Sequence, residues 1–225
     1  LLADMNGNPY MEEACMRVAE LSYDKAEYRT AYYYFQQMSQ VASSSAKRIT
    51  AQVGMLRCSQ NMADTTSVIA VASKLLEEQQ IDSVTRNEAL YCRAKAYWQG
   101  EQYGLALVDL TPIAKEVRTQ QGAEAKYLLA ACYYHLGAID MAEQEIMSFT
   151  QMRTSHQYWL AKSLILLSDI NVDRQELFQA KQYLLALQNN YHAQDDIQTA
   201  IESKLQAIAQ KEAQQSTDTT YIQQL

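Results

Sequence analysis

Between Lys126 and Gly137 the chain reads Lys-Tyr-Leu-Leu-Ala-Ala-Cys-Tyr-Tyr-His-Leu-Gly, apolar at helical spacing, and Gly137 breaks the run. Ala142 then opens a second apolar stretch carrying Ile146 and Phe149. Apolar residues recurring at three- and four-residue steps line one face of a helix. The stretch therefore predicts a helix, a tight turn and an antiparallel helix. Ala130 and Ala142 are small where the two helices must approach closely, and Tyr133 is large where the next turn leaves a gap.

The same pattern recurs along the chain. Ala94, Tyr97, Tyr103, Ala106 and Leu110 repeat it, with Gly100 at the turn; so do Ala19, Tyr28, Ala31 and Phe35, and again Leu167, Ser168, Leu177, Ala180 and Leu184. Val53, Gly54, Ala63, Thr66 and Ala70 form a weaker copy. The residue opening the second helix is Ala31, Thr66, Ala106, Ala142 and Ala180, at intervals of 35, 40, 36 and 38. A fixed period of this size marks stacked helix pairs, none of which buries its apolar face alone. The expected repeats span 12–45, 46–84, 85–121, 122–157 and 158–192, in one domain covering 1–225. Ala106, Ala142 and Ala180 should be almost fully buried.

The connections read as caps. Ser43-Ser44-Ser45 offers an N-cap for the second unit's first helix, and Thr85-x-x-Glu88 reads as a capping box for the third unit's. Ile81 to Val84 and Arg118 to Gln121 are the loosest connections. A last helix is expected over 195–214, capped by Asp195 or Asp196. Its residues Ile197, Ile201, Leu205 and Ile208 form one stripe that should pack near Leu184 and Leu187, with Gln198, Glu202, Gln206 and Gln210 opposite. The Gln/Thr-rich stretch from Gln214 to Gln224 is expected to fray or pack separately.

Composition agrees with an all-α protein. Six Gly and two Pro in 225 residues are too few for the turns of a β-sandwich or barrel. Hydrophobic residues make up 48%, enough for a core. The net charge is −7, and the densest basic spots are single pairs such as Lys47-Arg48, so no basic stripe invites nucleic acid. No apolar run approaches the ~18 residues of a membrane span. The start, Leu1-Leu2-Ala3-Asp4, lacks the charged-then-apolar order of a signal peptide and reads as an excised or processed end.

Candidate chemistry is sparse. Cys15, Cys58, Cys92 and Cys132 have no ligand spacing and read as small apolar core residues. His135 lies on a first helix, His156 precedes a helix in a capping or turn role, and His192 sits in a solvated turn. Glu12-Glu13 and Glu77-Glu78 are adjacent on helices, so their carboxylates point about 100° apart and share no site. No nucleophile motif, phosphate loop or dinucleotide fingerprint is present. No enzyme activity, catalytic residue, metal or cofactor is expected.

The order small-x-x-Tyr, turn, aromatic-x-x-Ala-x-x-x-aromatic resembles the tetratricopeptide repeat over Glu12 to Tyr191. The repeats here are longer than that family's 34 residues, the Pro expected at the end of each is missing, and the second copy lacks most large residues. The segment from Tyr158 through Leu185 is similar to the last repeats of long bacterial multi-repeat chains and to repeats of envelope-assembly lipoproteins. The resemblance implies a right-handed superhelical α-solenoid of about five helix pairs with a terminal capping helix. It also implies a scaffold or adaptor that binds a protein or peptide segment, and it favours the cell envelope as compartment.

In that family four positions of each first helix line the concave face. They map here onto Glu13, Met16, Glu20 and Tyr23; Arg48, Ala51, Met55 and Cys58; Glu88, Tyr91, Lys95 and Trp98; Glu124, Tyr127, Ala131 and Tyr134; and Lys162, Ile165, Asp169 and Val172. The Lys/Asn pair of the family's carboxylate clamp is absent. The expected peptide site is therefore aromatic: Tyr91, Lys95, Trp98, Tyr127 and Tyr134. The competing reading is structural, the last section of a longer solenoid that packs on its own chain or self-associates.

Overall fold

A computed structural model describes residues 10–222, with side chains for 10–215. The expectation for the start of the chain lies outside the described residues, while the Gln214 to Gln224 stretch, expected to fray or pack separately, continues α11 as far as Ile222. Among the described residues there are eleven helices and no strand. They are α1 (Met11–Asp24), α2 (Tyr28–Val41), α3 (Ser45–Asn61), α4 (Thr65–Glu77), α5 (Ser83–Gln99) and α6 (Tyr103–Ile113), then α7 (Gln120–His135), α8 (Ile139–Gln151), α9 (Gln157–Asp173), α10 (Leu177–Asn190) and α11 (Asp196–Ile222). The chain's contacts group into two units, one ending at Asp109 and one beginning at Leu110.

Within each pair the turn is the same local structure. Ala26, Ala63, Glu101, Gly137 and Gln175 all have left-handed backbone, with φ of 60°, 54°, 56°, 75° and 63°. Each donates its N–H back to a carbonyl three residues earlier, and the next residue donates to one five residues earlier, as in Glu27 N to Ser22 O at 2.8 Å and Ala138 N to Tyr133 O at 2.9 Å. This double bond to the helix end is the Schellman cap, which normally favours Gly at the left-handed position. Only one of the five is Gly. Gly100, expected at its turn, has φ −88°; Glu101 beside it takes the left-handed role.

The left-handed residues are spaced 37, 38, 36 and 38 apart, and five residues after each comes the buried opening residue of the second helix. Ala31, Ala106, Ala142 and Ala180 are fully buried, as expected, and the fifth is Val68 at 5% exposure. Thr66, expected in that role, is exposed. The reason is local. The Asp64 carboxylate accepts from Ser67 N at 3.0 Å and starts α4 at Thr65, so the fourth residue of the helix is Val68. Val has replaced the small residue, and Leu56 has replaced the small residue it faces. The small residue Thr66 therefore stands two positions before the buried one.

In the unit ending at Asp109, α1 to α5 pack in sequence, each helix on the next, with α3 also against α5. The core runs from Ala19 and Phe35 through Leu56, Val71 and Leu75 to Cys92. Ser44 caps α3 as expected, its Oγ accepting from Lys47 N at 3.3 Å. The capping box at Thr85 does not form. Asp82 caps α5 instead, accepting from Val84 N at 2.8 Å and Thr85 N at 2.9 Å. An anionic carboxylate is the stronger acceptor there, and Glu88 is drawn away to Arg57. Arg93 forms a two-pronged ion pair with Asp109 at 2.7 and 2.8 Å and donates to Ser73 Oγ at 2.9 Å.

In the unit from Leu110, α7 packs on α8 and α9, α9 on α10, and α11 on both α10 and α9. Gly122 sits so near the preceding turn that an added Cβ would lie 2.0 Å from Glu116 O. Ser168 Oγ donates to Ala180 O at 3.1 Å, which marks how closely α9 and α10 approach. The stripe of α11 packs as its spacing predicts: Ile197, Ile201 and Ile208 are buried with Leu184, Leu187 and Tyr191, and Leu205 is half-buried against them. Asp195 caps α11 by accepting from Ile197 N at 3.0 Å. Lys126, nearly buried, bonds Glu145 on α8 at 2.5 Å.

Two substitutions test this account. Ala63→Gly should raise stability by about 0.5–1 kcal/mol, because Gly removes the left-handed penalty and recovers more than its extra unfolded-state entropy; urea midpoints of the two proteins measure it, and an unchanged or lower midpoint argues against strain at the turn. Asp109→Asn should cost about 3 kcal/mol, since Arg93 keeps its charge in a mostly buried site without a counter-ion; a loss below about 1 kcal/mol means that water replaces the carboxylate.

Candidate functional site

A concave site lies on the first helices of the unit that ends at Asp109. A cavity of about 540 Å³ opens between α1 and α3 and is closed at one end by the start of α5. Met16, Glu20 and Tyr23 line it from α1; Thr50, Val53, Gly54 and Arg57 line it from α3. The α1 residues are three of the four that the repeat register assigns to the concave face. On α3 the register corrected by two residues applies: Thr50, Val53 and Arg57 line the cavity. Of the residues first assigned there, Ala51, Met55 and Cys58 are core, and Arg48 is held by Glu78 at 2.7 and 3.0 Å. The sequence carries one signal for the correct register, the 37-residue step from Ala31 to Val68.

Phe35 and Gly54 make the floor. A Cβ on Gly54 would lie 2.6–2.7 Å from the Phe35 ring, so the absent side chain lets the ring lie against α3. The walls are polar and fixed. Arg57 makes a bidentate pair with Glu88, at 2.8 and 3.0 Å, and that carboxylate raises the Arg57 pKa above its ordinary value. Asn61 Nδ2 donates to Tyr23 Oη at 3.1 Å, and the Tyr23 ring meets Tyr28 edge-on at 5.4 Å. The arrangement offers an apolar trough with positioned polar edges.

The five residues expected to form an aromatic site fall in both units. Tyr91, Lys95 and Trp98 lie on α5, all half-buried. Tyr91 packs on the core, and Lys95 Nζ lies 5.2 Å from its ring centroid and 3.4 Å from its hydroxyl. Trp98 meets Tyr103 edge-on at 5.1 Å. Tyr127 and Tyr134 lie on α7. Tyr127 stacks on Trp159 at 5.7 Å, with Lys162 Nζ 5.8 Å from its centroid. Tyr134 donates to Asp173 Oδ2 at 2.6 Å, and that bond lifts its pKa to about 12. Tyr127 is thus spent on packing between repeats, and Tyr134 on a bond to the neighbouring pair. Sequence periodicity finds the face but not what the rings touch.

The other chemistry-bearing residues have structural surroundings. All four cysteines are free and buried, and burial pushes the Cys92 and Cys132 thiols up to about 12 and Cys58 to about 11. His156 precedes α9 and bonds Arg118 O through Nε2 at 3.0 Å, in the turn role expected of it. No helix of the described residues is long and apolar enough to cross a membrane.

Antiparallel helix pairs joined by one recurrent turn, with a trough on the first-helix face, define a tetratricopeptide-type helical-repeat fold. The chain is similar to solved structures. The "MamA RS-1 ArsTM double mutant" aligns over 86% of this chain and 96% of its own, at 14% identity and a TM-score of 0.61. A tetratricopeptide repeat protein from Parabacteroides merdae aligns over 88% of this chain and 85% of its own, at 15% identity and a TM-score of 0.45. No family model and no curated protein matches the chain in sequence.

Gly54→Ala tests the floor. The methyl must displace the buried Phe35 ring, and overpacking of this kind costs about 1–3 kcal/mol. Denaturant unfolding measures the loss, and the double variant with Phe35→Leu should recover part of it; equal losses in both variants would show that ring and glycine do not meet.

Proposed function

We propose that the chain is a non-enzymatic interaction scaffold that binds an extended segment of another protein along its first-helix face. The observation that carries this reading is the trough between α1 and α3, an apolar floor of Phe35, Met16 and Val53 edged by fixed polar side chains. Binding sites of this size gain affinity by burying a few apolar groups while placed polar groups set orientation. Tyr91, Lys95 and Trp98 extend the same face along α5. Tyr127 and Tyr134 are its counterparts on α7. Aromatic rings on such a face bury large area on binding. Affinity is expected to be micromolar, because an extended segment loses its freedom on binding.

The test is a peptide library displayed on phage and selected on the intact chain, followed by calorimetry on the synthesised winners. Val53→Asn should weaken binding at least about tenfold with the fold retained by circular dichroism, since it makes the floor polar without adding charge. Trp98→Ala should cost at least ~2 kcal/mol of binding where that ring is a hot spot. Winners that bind Val53→Asn as tightly as the parent would overturn the groove. A Trp98→Ala chain that unfolds without selective loss of binding would place that ring in the core.

A further inference from the structure

The chemistry of the trough's edge goes beyond the binding of a peptide in general; it rests on the reading of the trough as a peptide groove. We infer that the groove selects a segment carrying Lys or Arg next to a large apolar side chain. Three carboxylates, Glu20, Asp24 and Asp82, line the cavity against one guanidinium, Arg57. Arg57 is already neutralised by its bidentate pair with Glu88. Asp82 spends its oxygens on the cap of α5, and those N–H bonds hold its carboxyl below the usual range, so its negative charge stays at the cavity's end.

Glu20 and Asp24 differ from these. They stand one helical turn apart on α1, so both face the same side. Both are exposed, and neither makes an ion pair among the described residues. Between them in sequence lies Tyr23, whose ring is fixed by Tyr28 and Asn61. An aromatic face beside two unpaired carboxylates suits a cationic side chain, which gains attraction from the ring as well as from the charges. The apolar floor lies directly beside this edge, so a neighbouring apolar side chain fills Phe35 and Val53 while the cation meets α1.

The same charges argue against the alternatives. An acidic segment, a nucleic acid or an anionic lipid surface would bring like charge to Glu20, Asp24 and Asp82, and like-charge juxtaposition is a main source of discrimination at interfaces.

The experiment uses the intact chain and two fluorescein-labelled hexapeptides, one alternating Leu and Lys, the other alternating Leu and Glu, followed by anisotropy. The Leu–Lys peptide should saturate one site and bind at least about tenfold tighter than the Leu–Glu peptide. The double variant Glu20→Gln, Asp24→Asn should weaken it about fivefold or more, as expected for two exposed charge contacts. Glu202→Gln, an exposed carboxylate on α11, should change nothing. The inference is overturned if the Leu–Glu peptide binds as well, if the double variant binds like the parent, or if Glu202→Gln weakens binding as much. Val53→Asn separates the two levels. If the two peptides bind the parent equally and Val53→Asn weakens both, the groove stands and the charge preference falls; if Val53→Asn leaves both unchanged, the groove falls as well.

Discussion

Every helix pair closes through one residue in the left-handed region, and the rest of each repeat is measured from it. The cap bonds made by Ala26, Ala63, Glu101, Gly137 and Gln175 reverse the chain in a fixed way. The second helix therefore always presents its fourth residue to the first helix at closest approach. That is why Ala31, Ala106, Ala142 and Ala180 have no exposed surface, and why Ser168 can reach the carbonyl of Ala180. Four of the five left-handed residues carry a Cβ, so their conformation is held by the packed pair on either side rather than by local preference.

The same geometry decides which side chains are available for binding. Once the pair is closed, positions facing the second helix are core, and the first-helix residues left over form the trough. On α1 and α3 the space over the Gly54 and Phe35 floor is left unfilled, and a cavity results. On α7 the residues left over are Tyr127 and Tyr134, whose ring and hydroxyl are taken up by Trp159 and Asp173. One register thus yields an open surface in one place and a packed one in another, according to side-chain volume.

Charged residues follow a similar division. Arg48 with Glu78, Arg57 with Glu88, Arg93 with Asp109 and Lys126 with Glu145 each tie one helix to another. Such pairs add orientation more dependably than stability, because desolvation offsets much of their attraction. Glu20 and Asp24 are left outside this set, and that gives the trough its sign.

Much of the fold was legible in the sequence. The all-α class, the five helix pairs, the burial of the opening alanines and the docking stripe of α11 follow from apolar periodicity, since burial and helix geometry leave few alternatives. What the sequence determined less well was each repeat's register where the small residues are replaced, as Val68 and Leu56 do in the second pair. Helix starts were blurred for a related reason: Asp82 and Thr85 both suit a cap, and only the competition for Glu88 by Arg57 decides between them. The candidate site was the least legible. Tyr127 and Trp98 look alike as letters on a helical face. Whether a ring stacks on a neighbour or borders open space depends on side chains about 32 residues away, such as Trp159 for Tyr127, or a few residues on, such as Tyr103 for Trp98. The trough itself exists because Phe35 from one pair lies over Gly54 of the next, a meeting that tertiary packing alone brings about.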